Sequence, residues 1–149
     1  MKARVTAHKD FTISAIADRI YSAFLEHLGR AVYTGIYEPG HPTADKDGMR
    51  GDVADLVREI DIPYVRYPGG NFVSAYNWED GIGPKESRPV RLDLAWHTSE
   101  SNHVGVHEFM AWCDKVATKP MLAINLGSRG LFTAILVALV SVHVQKFFT

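Results

Sequence analysis

The run RYPGGN at residues 66–71 combines residue types that bind polar ligands with residue types that turn the chain. Arg66 offers a rigid fork of N–H donors, and Asn71 offers both donors and an acceptor. The intervening Pro-Gly-Gly ends strand pairing and lets the backbone turn tightly. This combination predicts a site for a hydroxyl-rich ligand at the end of a strand. A surface turn with a solvated arginine is the alternative.

Other side chains that could do chemistry carry weaker signals. His103 and His107 have metal-ligand spacing near a predicted helix start, but no third ligand is spaced to join them. We therefore expect solvated histidines and no metal site. Cys113 falls on the apolar stripe of the same helix and is expected to be a core residue rather than a nucleophile. Asn125 follows an apolar strand and is either a site residue or a structural cap.

The composition is typical of an ordinary globular domain. The chain has 149 residues, of which 46% are hydrophobic and 22% are charged, with a formal net charge of -1. The absence of a basic stripe argues against nucleic acid as a partner. A single cysteine excludes an internal disulfide framework, and the polar N-terminus has no signal-peptide core, so we expect a cytoplasmic protein.

Strands and helices alternate along the predicted chain. An exposed edge strand is predicted over residues 4–13. Asp52 is predicted to cap a short helix, and a strand then ends at Arg66. After a long predicted loop over residues 72–101, a helix over 106–116 precedes a strand over 121–124. The predicted apolar positions of the two helices are Val53, Leu56, Val57 and Ile60 in the first, and Val106, Phe109, Met110, Cys113 and Val116 in the second.

This alternation predicts an α/β fold with a parallel sheet and right-handed crossovers. The polar residues that follow the strands would collect at one edge of that sheet. Such an edge is the active face of a (β/α) barrel, and it fits a doubly wound open sheet almost as well.

Five sequence blocks, in order and at matching spacing, resemble the N-terminal part of the α-L-arabinofuranosidases of glycoside hydrolase family 51. The resemblance covers residues 2–130. The blocks are FLEHLGR at 24–30, GIYEPGHP at 35–42, RYPGGNF at 66–72, YNWEDG at 76–81 and LDLAW at 92–96.

The resemblance implies a (β/α)8 TIM barrel joined to a β-sandwich. Residues 1–15 would contribute a strand to the sandwich, residues 16–130 would form the first three strand–helix units of an incomplete barrel, and residues 131–149 would be an atypical apolar tail. It also implies a retaining hydrolase that releases terminal L-arabinose from arabinan and arabinoxylan oligosaccharides, needs no cofactor and is often a homo-oligomer, commonly a hexamer.

The resemblance also implies roles for individual residues. Glu26 and Asn71 would hydrogen-bond the hydroxyls of the arabinose ring. Trp96 would lie near the next sugar subsite, and Arg66 would support the nucleophile from beneath. Charged acceptors bind hydroxyls more strongly than neutral ones, which agrees with the role of Glu26. A structural cap is the alternative role for Glu26.

A retaining mechanism needs two catalytic carboxylates, and the resemblance implies that both lie beyond the end of this chain. In the family the acid/base glutamate follows a Gly-Asn pair, and no Gly-Asn-Glu triplet occurs here. A complete barrel takes about 200 to 250 residues. We therefore expect the chain alone to be inactive and prone to aggregate. The alternative function is a non-catalytic fragment that binds sugar weakly.

The apolar run over residues 131–149 departs from the family pattern, which continues with an amphipathic helix. Three interpretations remain open for it. It is a foreign tail from a frameshift or misjoined gene, a shortened but genuine helix, or a membrane anchor. The run is shorter than the ~20 apolar residues that span a bilayer, so membrane association is the least favoured of the three.

Overall fold

The structure, a computed structural model, describes residues 1–132 together with residues 135, 136 and 139. Its strands are Ala23–Phe24 (β1), Tyr64–Tyr67 (β2), Arg91–Asp93 (β3), Thr98–Glu100 (β4) and Lys119–Leu122 (β5), and its α-helices are Gly51–Ile60 (α1) and Val106–Lys115 (α2). Short 3-10 helices lie at Asp18–Tyr21, Phe72–Ala75, Trp78–Gly81 and Lys85–Ser87.

Three of the strands form a parallel sheet in the order β1-β2-β5. The predicted alternation of strand and helix is therefore confirmed, and this part of the chain is a small α/β unit. The register places Phe24 beside Arg66 and Arg66 beside Met121. Because side chains alternate between the faces of a sheet, these three residues share one face, and Val65 and Tyr67 lie on the other.

Helix α2 covers the face of the sheet that carries Val65 and Tyr67. The Tyr67 ring stacks on the Phe109 ring with centroids 4.2 Å apart. All five apolar residues predicted for this helix region are buried, and Trp112 joins them. Cys113 is fully buried and its pKa is raised by burial, as expected of a core thiol.

The apolar stripe predicted for α1 is partly wrong. Leu56 and Ile60 are 59% and 69% exposed, whereas Ala54 is buried, with Val53 and Val57 packed against the core. Periodicity alone did not identify the buried side because apolar residues occur on both sides of this short helix. Arg50, not Asp52, is the N-cap residue, and Asp52 lies in the first turn.

One predicted strand is not formed, one begins earlier than predicted, and a predicted loop contains two strands. Residues 4–13 have no strand pairing and are exposed; an edge strand needs a neighbour to supply its hydrogen bonds, and none of the described chain does so. The final strand begins two residues earlier than predicted, at Lys119. The predicted loop over residues 72–101 contains the antiparallel hairpin of β3 and β4.

The predicted apolar tail over residues 131–149 lies mostly outside the described residues. Within the part of the chain that the structure describes, no helix has both the length and the apolar character needed to cross a membrane.

Candidate functional site

The C-terminal ends of β1 and β2 remain paired for several residues beyond the strands themselves. The Leu25 N–H donates to the Arg66 carbonyl at 2.8 Å, and the His27 N–H donates to the Pro68 carbonyl at 3.1 Å. Between these two bonds lies Glu26. The parallel pairing therefore holds Glu26 beside the turn that follows β2.

Glu26 joins three segments of the candidate site through one carboxylate oxygen. Its Oε1 accepts hydrogen bonds from the Phe72 backbone N–H at 2.9 Å and from the Trp96 indole Nε1–H at 3.2 Å. The residue is only 5% exposed. No described residue donates to Oε2, so this oxygen is free to accept hydrogen bonds from a ligand.

Gly69 allows Glu26 to occupy this position. Its φ is +146°, and a Cβ added there would lie 2.3 Å from the Glu26 Cγ. Any larger residue would therefore displace the carboxylate side chain. Earlier in the same turn, the Tyr67–Pro68 peptide bond is cis. The Pro-Gly-Gly turn thus provides space for Glu26 as well as ending the strand.

The hairpin of β3 and β4 carries Trp96 to the site. Its four-residue turn is held by Asp93, whose two carboxylate oxygens accept the N–H groups of Ala95 at 2.9 Å and Trp96 at 3.3 Å. Trp96 is half-buried. An indole that keeps an exposed face can stack on the C–H side of a sugar while its N–H holds Glu26.

Asn71 directly precedes Phe72 and is exposed. Its carbonyl accepts the Ser74 N–H at 3.2 Å, and no described residue bonds its side-chain amide. The structure therefore brings together Glu26, Asn71 and Trp96. Their roles in binding a ligand remain a prediction.

Arg66 is the fourth residue for which the resemblance implies a role. It is exposed on the uncovered face of the sheet, and its guanidinium carbon lies 5.1 Å from the centre of the Phe24 ring. In the described part of the chain it donates no side-chain hydrogen bond to Glu26, Asn71 or Trp96. Its support of a nucleophile stays a prediction.

A buried polar group behind Glu26, which we call the His27 cluster, was missed by sequence analysis. It consists of His27, Tyr33, Tyr67 and Glu100. His27 Nδ1 lies 2.7 Å from Glu100 Oε2, and Nε2 lies 2.8 Å from the Tyr67 hydroxyl. Tyr33 also bonds Glu100. His27 adjoins Glu26 in sequence, but nothing in the sequence indicated its pairing with Glu100 from the hairpin.

Burial by itself raises the pKa of Glu100, but its partners outweigh burial. Hydrogen bonds from His27, Tyr33 and the Asn102 N–H, together with the His27 charge, hold the Glu100 pKa below its ordinary value. Burial raises the pKa of Tyr33 and Tyr67 well above the ordinary range. At neutral pH the cluster therefore holds one carboxylate and two intact phenol hydroxyls.

Asn125 has the contacts of a structural cap. Its Oδ1 accepts the Ser128 N–H at 3.0 Å, and its Nδ2 donates to the Ser74 carbonyl at 3.1 Å. In the described residues, no group of three metal-ligating side chains includes His103 or His107.

Comparison with known proteins links this geometry to one family. A family model, the α-L-arabinofuranosidase 1 domain, matches residues 56–145. An intracellular exo-α-(1→5)-L-arabinofuranosidase 1 from Bacillus subtilis is 57% identical over 133 residues, which make up 89% of this chain and 27% of the relative. An exo-α-(1→6)-L-arabinofuranosidase from Bifidobacterium longum is 53% identical over 135 residues, which make up 90% of this chain and 26% of the relative.

Solved structures agree with the sequence comparisons. A family 51 α-L-arabinofuranosidase from Bifidobacterium longum superposes with a TM-score of 0.78 at 60% identity, over 79% of this chain and 23% of its own. The Thermotoga maritima enzyme, solved as an arabinose complex, gives a TM-score of 0.75 at 51% identity, over 77% of this chain and 24% of its own.

The chain spans about a quarter of the length of these relatives. Because the family model matches more than half of its residues and the superposed structures share its fold, the chain belongs to the family 51 α-L-arabinofuranosidases and corresponds to their N-terminal part.

Proposed function

We propose that this chain supplies the sugar-binding part of a retaining, exo-acting α-L-arabinofuranosidase. The single observation that carries the proposal is the hydrogen bonding of Glu26 Oε1 to both Phe72 and Trp96, which leaves Oε2 free. A furanose ring presents several hydroxyls in fixed directions, and an ionised carboxylate accepts such hydroxyls in strong hydrogen bonds.

Each of the three residues has a distinct part in the proposed binding. Glu26 accepts ring hydroxyls through Oε2, while Asn71 donates to and accepts from a neighbouring hydroxyl through its amide. Trp96 offers its exposed indole face to the next sugar unit. The hydrogen bond from Trp96 to Glu26 at 3.2 Å couples the two positions, so an occupied sugar site and an ordered hairpin favour each other.

The proposed substrates are oligosaccharides with terminal arabinofuranosyl groups, as in arabinan and arabinoxylan. The names of the relatives include both (1→5) and (1→6) linkages. The terminal arabinofuranosyl group is common to both, and it is the part that Glu26 and Asn71 would hold. We propose a cytoplasmic location, in line with relatives named as intracellular enzymes.

The catalytic acid/base and the nucleophile are proposed to be glutamates outside these 149 residues. Glu26 is poorly suited to either role because two N–H donors already occupy its Oε1. A retaining pair needs two carboxyl groups about 5 to 5.5 Å apart. Arg66 would face that nucleophile within the complete barrel and keep it ionised.

The complete fold is proposed to be a (β/α)8 barrel with a β-sandwich, to which residues 1–15 add a strand. The exposed sheet face with Phe24, Arg66 and Met121 supports this proposal, because the strands of a barrel turn such a face inward. A homo-oligomer such as a hexamer is proposed for the complete enzyme.

The proposal is tested by titrating the 149-residue chain with methyl α-L-arabinofuranoside and following the Trp96 indole N–H signal by NMR. Saturable binding is expected. Glu26→Gln should weaken binding about tenfold or more, because it removes charged hydrogen bonds. Glu86→Gln is the matched control, since Glu86 is exposed and lies in a separate 3-10 helix. Equal affinity of the two variants would remove Glu26 from the site.

Hydrolysis of an aryl arabinofuranoside separates this function from its alternatives. We expect no turnover by the chain alone. Turnover that disappears in Glu26→Ala would contradict our placement of the catalytic carboxylates. The absence of both turnover and binding would instead favour a fragment without a sugar site.

A further inference from the structure

His27 lies where four segments of the chain meet. Its side chain is 1% exposed, and its two ring nitrogens face Glu100 at the end of β4 and Tyr67 at the end of β2. The ring stacks on Phe72 with centroids 4.5 Å apart and planes 10° apart. Through the Tyr67 hydroxyl the contacts reach the Val104 carbonyl, which lies just before α2.

Glu100 can only accept hydrogen bonds in this arrangement. Its Oε1 accepts from the Tyr33 hydroxyl and from the Asn102 N–H at 2.7 Å, and its Oε2 faces His27 Nδ1. The partners of Glu100 hold its pKa below the ordinary value, so the carboxyl is ionised and has no proton to donate. His27 Nδ1 must therefore carry a proton.

The Tyr67 hydroxyl requires a proton on the other nitrogen as well. This hydroxyl donates to the Val104 carbonyl at 3.1 Å. A hydroxyl has a single proton, so its contact with His27 Nε2 at 2.8 Å is one in which Tyr67 accepts. Both ring nitrogens of His27 donate in this arrangement, which is the hydrogen-bonding pattern of an imidazolium.

We propose that His27 is a positioning residue, held as an imidazolium, that fixes Glu26, Phe72 and Trp96 relative to one another for sugar binding. The sugar-binding part of this inference rests on the function proposed above. His27 follows Glu26 directly, stacks on the residue whose N–H bonds Glu26, and holds the hairpin that carries Trp96.

A neutral ring would leave one buried acceptor without a donor. If Nδ1 were bare it would face the Glu100 carboxylate, and if Nε2 were bare it would take the Tyr67 proton and leave the Val104 carbonyl without its donor. The titratable groups around the ring are Glu100, Tyr33, Tyr67 and Tyr76. Among these, only Glu100 is charged at neutral pH, so it is the one group of full negative charge that faces the ring.

The first test needs no ligand, so its outcome is independent of the proposed function. The chain, which has seven histidines, is labelled with ¹⁵N in the histidine rings, and long-range ¹H–¹⁵N spectra are recorded at neutral pH. We expect the His27 signal, identified by its loss in His27→Gln, to show protons on both nitrogens. A ring with one bare nitrogen would overturn the imidazolium assignment.

The second test measures positioning by the exchange of the Trp96 indole N–H with solvent. His27→Gln should increase this exchange about tenfold and weaken methyl α-L-arabinofuranoside binding by a similar factor, because the hairpin is no longer held against Glu26. His103→Gln, at an exposed histidine, is the matched control and should change neither value. Unchanged exchange in a folded His27→Gln chain would overturn the positioning role, whether or not the chain binds sugar.

A lone buried Glu100 charge could unfold the single variant. The double variant His27→Gln with Glu100→Gln removes both charges and guards against this outcome. We expect it to fold, since the two amides can pair, and still to exchange the Trp96 indole proton faster than wild type. A double variant with wild-type exchange would show that the His27 ring is dispensable and would overturn the proposal.

Discussion

Two regions of the three-stranded sheet differ in how much of their surface is buried: the C-terminal ends of its strands, and the open face that carries Phe24, Arg66 and Met121. At the strand ends, Glu26 and Tyr67 are 5% and 2% exposed, and their polar atoms have partners from several segments. On the open face, Phe24 and Met121 are 50% and 41% exposed. The strand-end side chains are held by contacts within the described chain, with Glu26 Oε2 left free, whereas the open face has the character of a surface that needs a partner.

This difference separates two kinds of substitution. Changes at the strand ends should disturb stability and ligand binding together, because the same contacts serve both. Changes on the open face should alter association and leave the free energy of unfolding almost unchanged.

The largest effect is expected for Gly69→Ala. The added Cβ would lie 2.3 Å from Glu26 Cγ in a backbone conformation that disfavours alanine, so unfolding in urea should show a loss of about 3 kcal/mol. Gly40→Ala is the matched control, since nothing lies within 4 Å of a Cβ there. Similar losses in the two variants would mean that the strand ends are no more constrained than a surface loop.

Tyr67→Phe should cost about 1–3 kcal/mol, because it leaves the His27 Nε2 proton and the Val104 carbonyl without the hydroxyl that joins them. Tyr76→Phe provides the comparison. The Tyr76 hydroxyl is buried without a hydrogen-bond partner in the described structure, so its removal should be neutral or stabilising. Urea unfolding of both variants checks this, and a larger loss in Tyr76→Phe would contradict the hydrogen-bond assignment.

Acid should destabilise the strand ends through Glu100. Its folded pKa is lowered, so its contribution is fully present above the ordinary carboxyl pKa of about 4.3 and is lost as the pH falls through the folded value. Each unit of lowering corresponds to about 1.4 kcal/mol. The urea concentration at the unfolding midpoint should therefore decrease as the pH is lowered past that value. Glu100→Gln should make this decrease with pH less steep. An unchanged slope would mean that other carboxylates dominate.

The smallest stability effect is expected for Phe24→Thr on the open face, within about 0.5 kcal/mol, as is usual for exposed positions. Self-association measured by light scattering should nevertheless fall, because an exposed aromatic ring is removed. Val65→Thr, on the covered face, should cost about 1–3 kcal/mol from burial of the new hydroxyl. A large loss in Phe24→Thr would show that the open face stabilises this part of the chain.

Local sequence signals predicted much of the fold. The periodicity of α2 identified its buried residues, and the extended run before Pro68 identified β2. The same reasoning misassigned α1, where Leu56 and Ile60 are exposed although they match the helical period. In a short helix with apolar residues on several sides, the position of the neighbouring strands decides which side is buried.

The residues of the candidate site were predicted, but the contacts between them were not. Five sequence blocks identified Glu26, Asn71 and Trp96 by resemblance. The contact of Trp96 with Glu26, the space above Gly69 and the pairing of His27 with Glu100 had no local signal, because each joins residues more than 40 positions apart.

The sequence by itself determined the family, the alternation of strand and helix, and the chemical types available at the strand ends. These follow from local pattern, since turn residues and apolar periodicity act over a few positions. Only the tertiary structure decided that Glu26 bonds both Phe72 and Trp96, and that His27 lies between a carboxylate and a phenol. Such contacts form when parallel pairing brings distant segments side by side. The local pattern of residues does not specify that geometry.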